Sequence, residues 1–242
     1  MQNPFKQKPR STLSRFADEE HKHTRTLTQS EINTRMKRIN EDFHHAFTLL
    51  QHHADTVTFF GSSRFDPSNQ YYREARALAR RIVEEIGSTI VTGGGSGIMA
   101  AANQGAEEVQ GESVGMTIEL PNEQVTNDYV NDTVDFYYFF SRKVALTFTA
   151  RAYIFYPGGF GTLDEFFEIV TLKQTGKINP IPIVLIGSQY WRPLLDFIDQ
   201  QLAEAFATIE PGDSSLFTLT DDIDEVMRII SNQDVAAFNH AT

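Results

Sequence analysis

The 242-residue chain has no cysteine. That excludes a disulfide framework, a thiolate nucleophile and any zinc or iron–sulfur site built on cysteine, and it fits a reducing compartment. Long apolar runs are also missing. No stretch approaches the roughly 18 residues of a membrane span, and the opening MQNPFKQKPRSTLSRF lacks the apolar centre of a secretory signal. The expectation is a soluble, cytoplasmic protein with no membrane association. Positive charge is scarce: 21 Lys and Arg face 32 Asp and Glu, a formal net charge of -11. The little there is sits early. Residues 1–54 carry nine basic and six acidic side chains, whereas residues 55–242 carry twelve against 26. A body this acidic is not a nonspecific binder of nucleic-acid backbones, so no nucleic-acid partner is expected. What the chain does have is 40% hydrophobic and 12% aromatic residues, ample for a buried core.

Residues 1–29 are polar, without sustained periodicity, and read as a flexible arm. From Ser30 onward Ile32, Met36, Ile39, Phe43, Phe47 and Leu50 recur at steps of three and four, which predicts an amphipathic helix ending near His53. Six of the seven histidines fall in this region, at 21, 23, 44, 45, 52 and 53. They are paired at adjacent positions rather than at i, i+4 beside a carboxylate, so they read as solvated side chains and no metal site is expected. After Asp55 short β-branched and aromatic runs alternate with helical stretches, the pattern of βα units building a parallel sheet. Strands are expected at 56–61, 88–92, 113–119, 134–140, 152–156, 181–186 and 216–219. Helices are expected at 71–86, 98–109, 142–149, 163–175, 191–205 and 222–230. The fold class is therefore α/β: a Rossmann-like, doubly wound, mostly parallel sheet over 55–242, preceded by a helical extension over 1–54.

In such a sheet ligands bind beyond the carboxyl ends of the strands. Four unusual segments fall there: Gly61-Ser62-Ser63-Arg64, Gly93-Gly94-Gly95-Ser96-Gly97, Ser141-Arg142-Lys143 and Pro157-Gly158-Gly159-Phe160-Gly161-Thr162. Right-handed crossovers bring all four to one rim. Both glycine-rich segments follow a strand and open a helix, where free amides and the helix dipole favour an anion. Ser62, Gly94, Gly95, Ser96, Gly97, Gly158, Gly159, Phe160, Gly161 and Thr162 are accordingly expected to contact a phosphate-bearing ligand. The familiar nucleotide signatures fail letter by letter. Counting from Gly93, Ile98 and Met99 stand where a Walker loop needs Gly and Lys, and Ile98 also replaces the last glycine of both the dinucleotide fingerprint and a serine-hydrolase elbow.

The set GSSR, GGGSGIMAAANQGA, SRK and PGGFGTLDE resembles the LOG ("lonely guy") family over about residues 56–190. That family is similar in architecture to Rossmann proteins and was long mislabelled as lysine decarboxylases. The resemblance implies cleavage of the N-glycosidic bond of a nucleoside 5′-monophosphate, on cytokinin nucleotides, AMP or related substrates, to free base and ribose 5-phosphate. It assigns the essential Arg and Glu to Arg142 and Glu165, suggests Thr171 as a ligand contact, implies no metal or organic cofactor, and implies at least a homodimer formed through helices flanking the sheet. The residues suit that chemistry. An oxocarbenium-like centre at C1′ needs a carboxylate to stabilise charge or deprotonate water, the role expected of Glu165 near the start of its helix. Arg142 offers a permanently charged planar fork, Lys143 a point charge beside it, and Met116 a surface on which a base can pack. A nucleotide sensor of the same fold that binds without cleaving is the alternative. Decarboxylation of lysine would need a pyridoxal-bearing lysine, which nothing in the sequence singles out.

Overall fold

The computed structural model describes residues 27–119 and 125–233. The polar arm expected over 1–29 lies outside the described residues apart from its last three. The chain divides between Lys37 and Arg38 into two units, a boundary that falls inside helix α1 (Gln29–Leu50). The sequence Thr28-Gln29-Ser30-Glu31 explains where α1 begins. The Glu31 amide donates to Thr28 Oγ1 at 3.2 Å and the Thr28 amide to Glu31 Oε2 at 2.8 Å, a reciprocal capping box. The buried residues of α1 are Asp42, Ala46 and Leu50; of the stripe read from the sequence Leu50 is buried, Phe47 packs partly buried against the core, and Ile32 and Met36 are exposed.

The second unit holds a seven-stranded sheet: β1 (Thr56–Phe60), β2 (Thr89–Thr92), β3 (Ser113–Ile118), β4 (Asp132–Phe136), β5 (Ala150–Phe155), β6 (Ile183–Leu185) and β7 (Thr218–Leu219). The spatial order is β4-β3-β2-β1-β5-β6-β7 and every pairing is parallel. The sheet is thus parallel throughout, where a mostly parallel one was expected. β1, β2 and β3 are buried along their whole length, as strands covered on both faces must be. Alternation then sorts the side chains. Val57 and Phe59 join Ile90, Ala152 and Ile154 under helices α2 (Gln70–Ile86), α3 (Ile98–Glu107) and α7 (Ile223–Ser231). Phe60 joins Val114, Met116 and Phe155 under α1, α4 (Phe139–Phe148), α5 (Phe160–Gln174) and α6 (Ser188–Phe197).

Two boundaries differ from expectation in ways that matter for the site. The aromatic run Tyr137–Phe140 reads as the end of a strand, yet β4 stops at Phe136 and α4 opens at Phe139, so Arg142, expected as the first residue of its helix, is the fourth. α5 opens at Phe160, three residues before the expected Leu163. The helix expected over 191–205 is α6 followed by a π-helical stretch, Ile198–Ala205.

The connection that leaves β1 passes to β2 on one side and the connection that leaves β5 passes to β6 on the other, so the two part company at the C-terminal ends of these neighbouring strands. That divergence opens a crevice between the loops that follow β1 and β5.

Candidate active site

A cleft of about 720 Å³ occupies this crevice. All four rim segments reach it, through Gly61–Arg64, Gly93, Arg142 and Pro157–Thr162, but they contribute unequally.

Arg142 and Glu165 meet at the cleft. Arg142 is half-buried and its Nε donates to the Met116 carbonyl at 2.7 Å, which fixes the plane of the guanidinium. A methyl group on Gly93 would lie 2.2 Å from Arg142 Nη2, so the guanidinium sits where only a glycine leaves room. No carboxylate among the described residues lies within ion-pair distance of it, leaving the rest of the fork for a ligand. Burial depresses the Arg142 pKa, opposed by the negative charge of Glu165. Glu165 is only 7% exposed and its buried Oε2 has no hydrogen-bond partner. Burial pushes its pKa up to about 7; Arg142 pulls it down and Glu168 adds to the rise. The early start of α5 puts Glu165 in the second turn, and the first turn contains no acid. Compensation of the helix dipole, which fades within one turn, therefore does not account for Glu165. A buried carboxyl held near neutrality beside a cation and open to a cleft suits general base work.

The two glycine-rich segments play different parts. Gly159 precedes α5 without a side-chain cap, and Gly159, Phe160 and Gly161 are exposed at the cleft, so the first amides of α5 are available to an anion. Gly158 is pinned, since an added methyl would lie 2.1 Å from Thr162 Oγ1, and its carbonyl accepts from Tyr190 Oη at 2.8 Å. In the other segment only Gly93 lines the cleft. Gly94 and Gly95 are buried, their carbonyls taken by Asn127 Nδ2 at 3.1 and 2.9 Å. Gly97 has φ +70° and no space for a side chain, the Ser62 carbonyl lying 2.1 Å from an added methyl. The amide that opens α3, that of Ile98, donates to that same carbonyl at 3.0 Å, and Ser96 Oγ donates to the Ser63 carbonyl at 2.8 Å. The 93–97 segment thus shapes the Ser62–Arg64 loop and borders the cleft through Gly93.

Of the other expected contacts, Ser62 lines the cleft and its Oγ accepts from the Arg64 amide at 3.1 Å. Three do not line it. The Met116 side chain is fully buried in the core, and only its carbonyl serves, by holding Arg142. Lys143 turns to α5, pairing with Asp164 at 3.2 Å and with Glu168, and these bonds outweigh burial to keep its pKa raised. Thr171 is exposed and its hydroxyl donates to the Phe167 carbonyl one turn back. The sequence did not single out Phe139 and Tyr190, which line the cleft; as aromatics near strand ends they carried no signal beyond that of core residues.

The first cluster of donors for a cation lies elsewhere. His53 and Glu112, which precede β1 and β3, and Asp132, which opens β4, lie at the opposite end of the strands, with ligand atoms within 4.8 Å of one another. His53 is buried, against the expectation of a solvated side chain, because it sits at the N-terminal ends of the strands, where its ring reaches Thr89 and Asp132 at 3.3 and 3.4 Å. Among the described residues no helix is long and apolar enough to cross a membrane.

Comparison with known proteins now bears on the assignment. The family model described as "Possible lysine decarboxylase" matches residues 99–230. A probable cytokinin riboside 5′-monophosphate phosphoribohydrolase of Oryza sativa subsp. japonica, LOGL3, is 33% identical over 161 residues, which cover 62% of this chain and 72% of the relative. The cytokinin riboside 5′-monophosphate phosphoribohydrolase of Rhodococcoides fascians is 26% identical over 179 residues, 72% of this chain and 88% of that one. Among solved structures, the molybdenum cofactor carrier protein of Chlamydomonas reinhardtii has a TM-score of 0.53 at 21% identity, over 76% of this chain and 97% of its own, a likeness of fold alone. With the family model matched over more than half of its length and a relative one-third identical, the chain belongs to the LOG family, whose model keeps the older lysine decarboxylase description.

Proposed function

We propose that this chain hydrolyses the N-glycosidic bond of a purine or cytokinin nucleoside 5′-monophosphate, releasing the free base and ribose 5-phosphate. The observation that carries the reading is the meeting of a buried, nearly neutral-pKa Glu165 with Arg142 in a cleft edged by the uncapped start of α5. The phosphorylated substrates in the names of its relatives support it. In this mechanism the amides of Gly159, Phe160 and Gly161 bind the 5′-phosphate, and Arg142 holds a second oxygen-rich part of the nucleotide in fixed orientation. The Glu165 carboxylate takes a proton from water, and the hydroxyl adds to C1′ as the bond to the base nitrogen breaks. The electron pair of that bond leaves with the base, which is protonated in turn. The negative charge of Glu165 also lowers the cost of the oxocarbenium-like transition state, where low polarity strengthens the interaction. Binding energy from the remote phosphate is spent at C1′.

Phe140, Val144 and Phe148, one turn apart on α4, stay exposed beside α1, and we read this face as the surface covered by a second copy in a homodimer. The direct test of the reaction is to incubate the protein with nucleoside monophosphates of different bases and resolve the products. Free base with ribose 5-phosphate supports the proposal and ranks the substrates. Tight binding of a monophosphate without cleavage supports a sensor instead.

A further inference from the structure

α1 precedes the sheet and lies outside the stretch over which the sequence resembles its family, yet one of its side chains reaches the helix that bears Arg142. Asp42 is 5% exposed, on the same helix face as Ala46 and Leu50. A carboxylate removed from water to this extent must be paired or hydrogen-bonded. No cation among the described residues lies within ion-pair distance of it. Instead it accepts from the Tyr137 amide at 3.1 Å, from the Tyr138 amide at 3.2 Å and from the Ser141 hydroxyl. These partners stand 95 to 99 residues further along the chain, at the start of α4.

α4 has no cap of its own there, since Tyr138 supplies no side-chain bond. Asp42 instead binds, from outside the helix, the amides of the two residues that lead into α4 and the hydroxyl of its third residue, and a carboxylate near a helix N-terminus is favoured by the dipole as well. The residue after Ser141 is Arg142. Its amide donates to the carbonyl of Tyr138 at 3.2 Å, one of the two residues whose amides Asp42 holds. Further along the two helices, Phe47 packs on Phe148 with ring centroids 4.5 Å apart, and Phe43 on Phe140 at 6.4 Å. α1 therefore fixes α4 at its start by charge and along its length by aromatic contact, while Met116 fixes the far end of the Arg142 side chain.

We propose that Asp42 is a positioning residue for Arg142: by anchoring the start of α4 to α1 it sets the backbone from which the guanidinium enters the cleft. The proposal rests on the hydrolase reading for its kinetic consequences but not for its structural one.

The test joins kinetics and spectroscopy on the full chain. Asp42→Asn keeps the shape and one acceptor oxygen, and replaces the other by an amide that cannot accept. With AMP as probe, D42N is expected to lower kcat/KM about tenfold, but less than about twofold further in an Arg142→Ala background, because the two act through one group. Losses that multiply in full in the double variant would show a general structural role and overturn the proposal. In parallel, the ¹H–¹⁵N resonance of the Arg142 Nε–H, identified by its disappearance in R142A, is expected to shift or broaden in D42N as its bond to Met116 loosens. An unmoved resonance overturns the proposal even if the wild type cleaves no nucleotide, so its failure is separable from that of the hydrolase reading. Should D42N not fold, Ser141→Ala, which removes one of the three bonds, replaces it in both measurements. A two- to fivefold loss is then expected, and the same two outcomes overturn the inference.

Discussion

Replacing Glu165 by Gln should make the protein more stable at alkaline pH while abolishing its chemistry, and the size of the gain follows from where the carboxyl sits. Burial raises its pKa from an ordinary value near 4.5 to about 7. Between those values the native state binds more protons at this site than the unfolded chain does, so stability falls as pH rises through the window. The penalty is absent well below pH 4.5 and complete above about pH 7, where it amounts to roughly 3 kcal/mol at 1.36 kcal/mol per pH unit. Glutamine has no proton to lose. The difference in unfolding free energy between E165Q and wild type should therefore grow by about 2.5 kcal/mol between pH 5 and pH 8, in favour of the variant. Contributions that do not titrate, such as packing of the new amide against Arg142, cancel in that comparison. Urea titrations at the two pH values read it directly, as a relative midpoint shift of about 1 M for a slope of 2–3 kcal/mol/M. A difference that stays the same at both pH values would mean that the group is not held above its ordinary pKa, and the electrostatic account of the site would fail with it.

Four further outcomes are expected. Turnover by the wild type should rise with pH through about 7 and level off, since the ionised form of Glu165 is the base; a rate that falls across this range contradicts that role. Arg142→Ala should weaken nucleotide binding and turnover together and move the acid limb of the profile to higher pH, because the charge opposing the rise in the Glu165 pKa is gone; titration calorimetry and pH–rate curves check both. Gly93→Ala should displace the guanidinium and cost at least about tenfold in kcat/KM with only modest loss of stability, and wild-type kinetics in this variant would remove the Gly93 contact from the account. Sedimentation should find a dimer that Phe148→Asp weakens; a monomeric wild type refutes the reading of the α4 face.

The parallel sheet was legible because β-branched runs such as Thr56–Phe60 and Thr89–Thr92 are bracketed by helical periodicity, and the rim was legible because its glycines follow those runs. Helix starts were less so. PGGFGT looks like loop because glycine is a poor helix former, yet α5 opens at Phe160, which moved Glu165 from the first turn to the second. The division of labour between the two glycine segments was invisible, since it depends on Asn127 and on the Ser62 and Ser63 carbonyls, contacts with no local signature. The same holds for Lys143, whose partners lie 21 and 25 residues away on another helix. Asp42 is the plainest case. Periodicity counts apolar residues, so an acid on the buried face of α1 passes unnoticed beside the apolar stripe that ends at Leu50.

The central claim is that the cleft uses a 5′-phosphate to bring C1′ of a nucleotide to Glu165. Measuring free adenine and ribose 5-phosphate formed from AMP, beside adenine formed from adenosine, with wild type and E165Q in parallel, tests it most directly. The account predicts that AMP is cleaved with a kcat/KM far above that of adenosine and that E165Q, still folded and still binding AMP, loses at least about a hundredfold in turnover. Equal cleavage of AMP and adenosine, or near-normal turnover by E165Q, would contradict it.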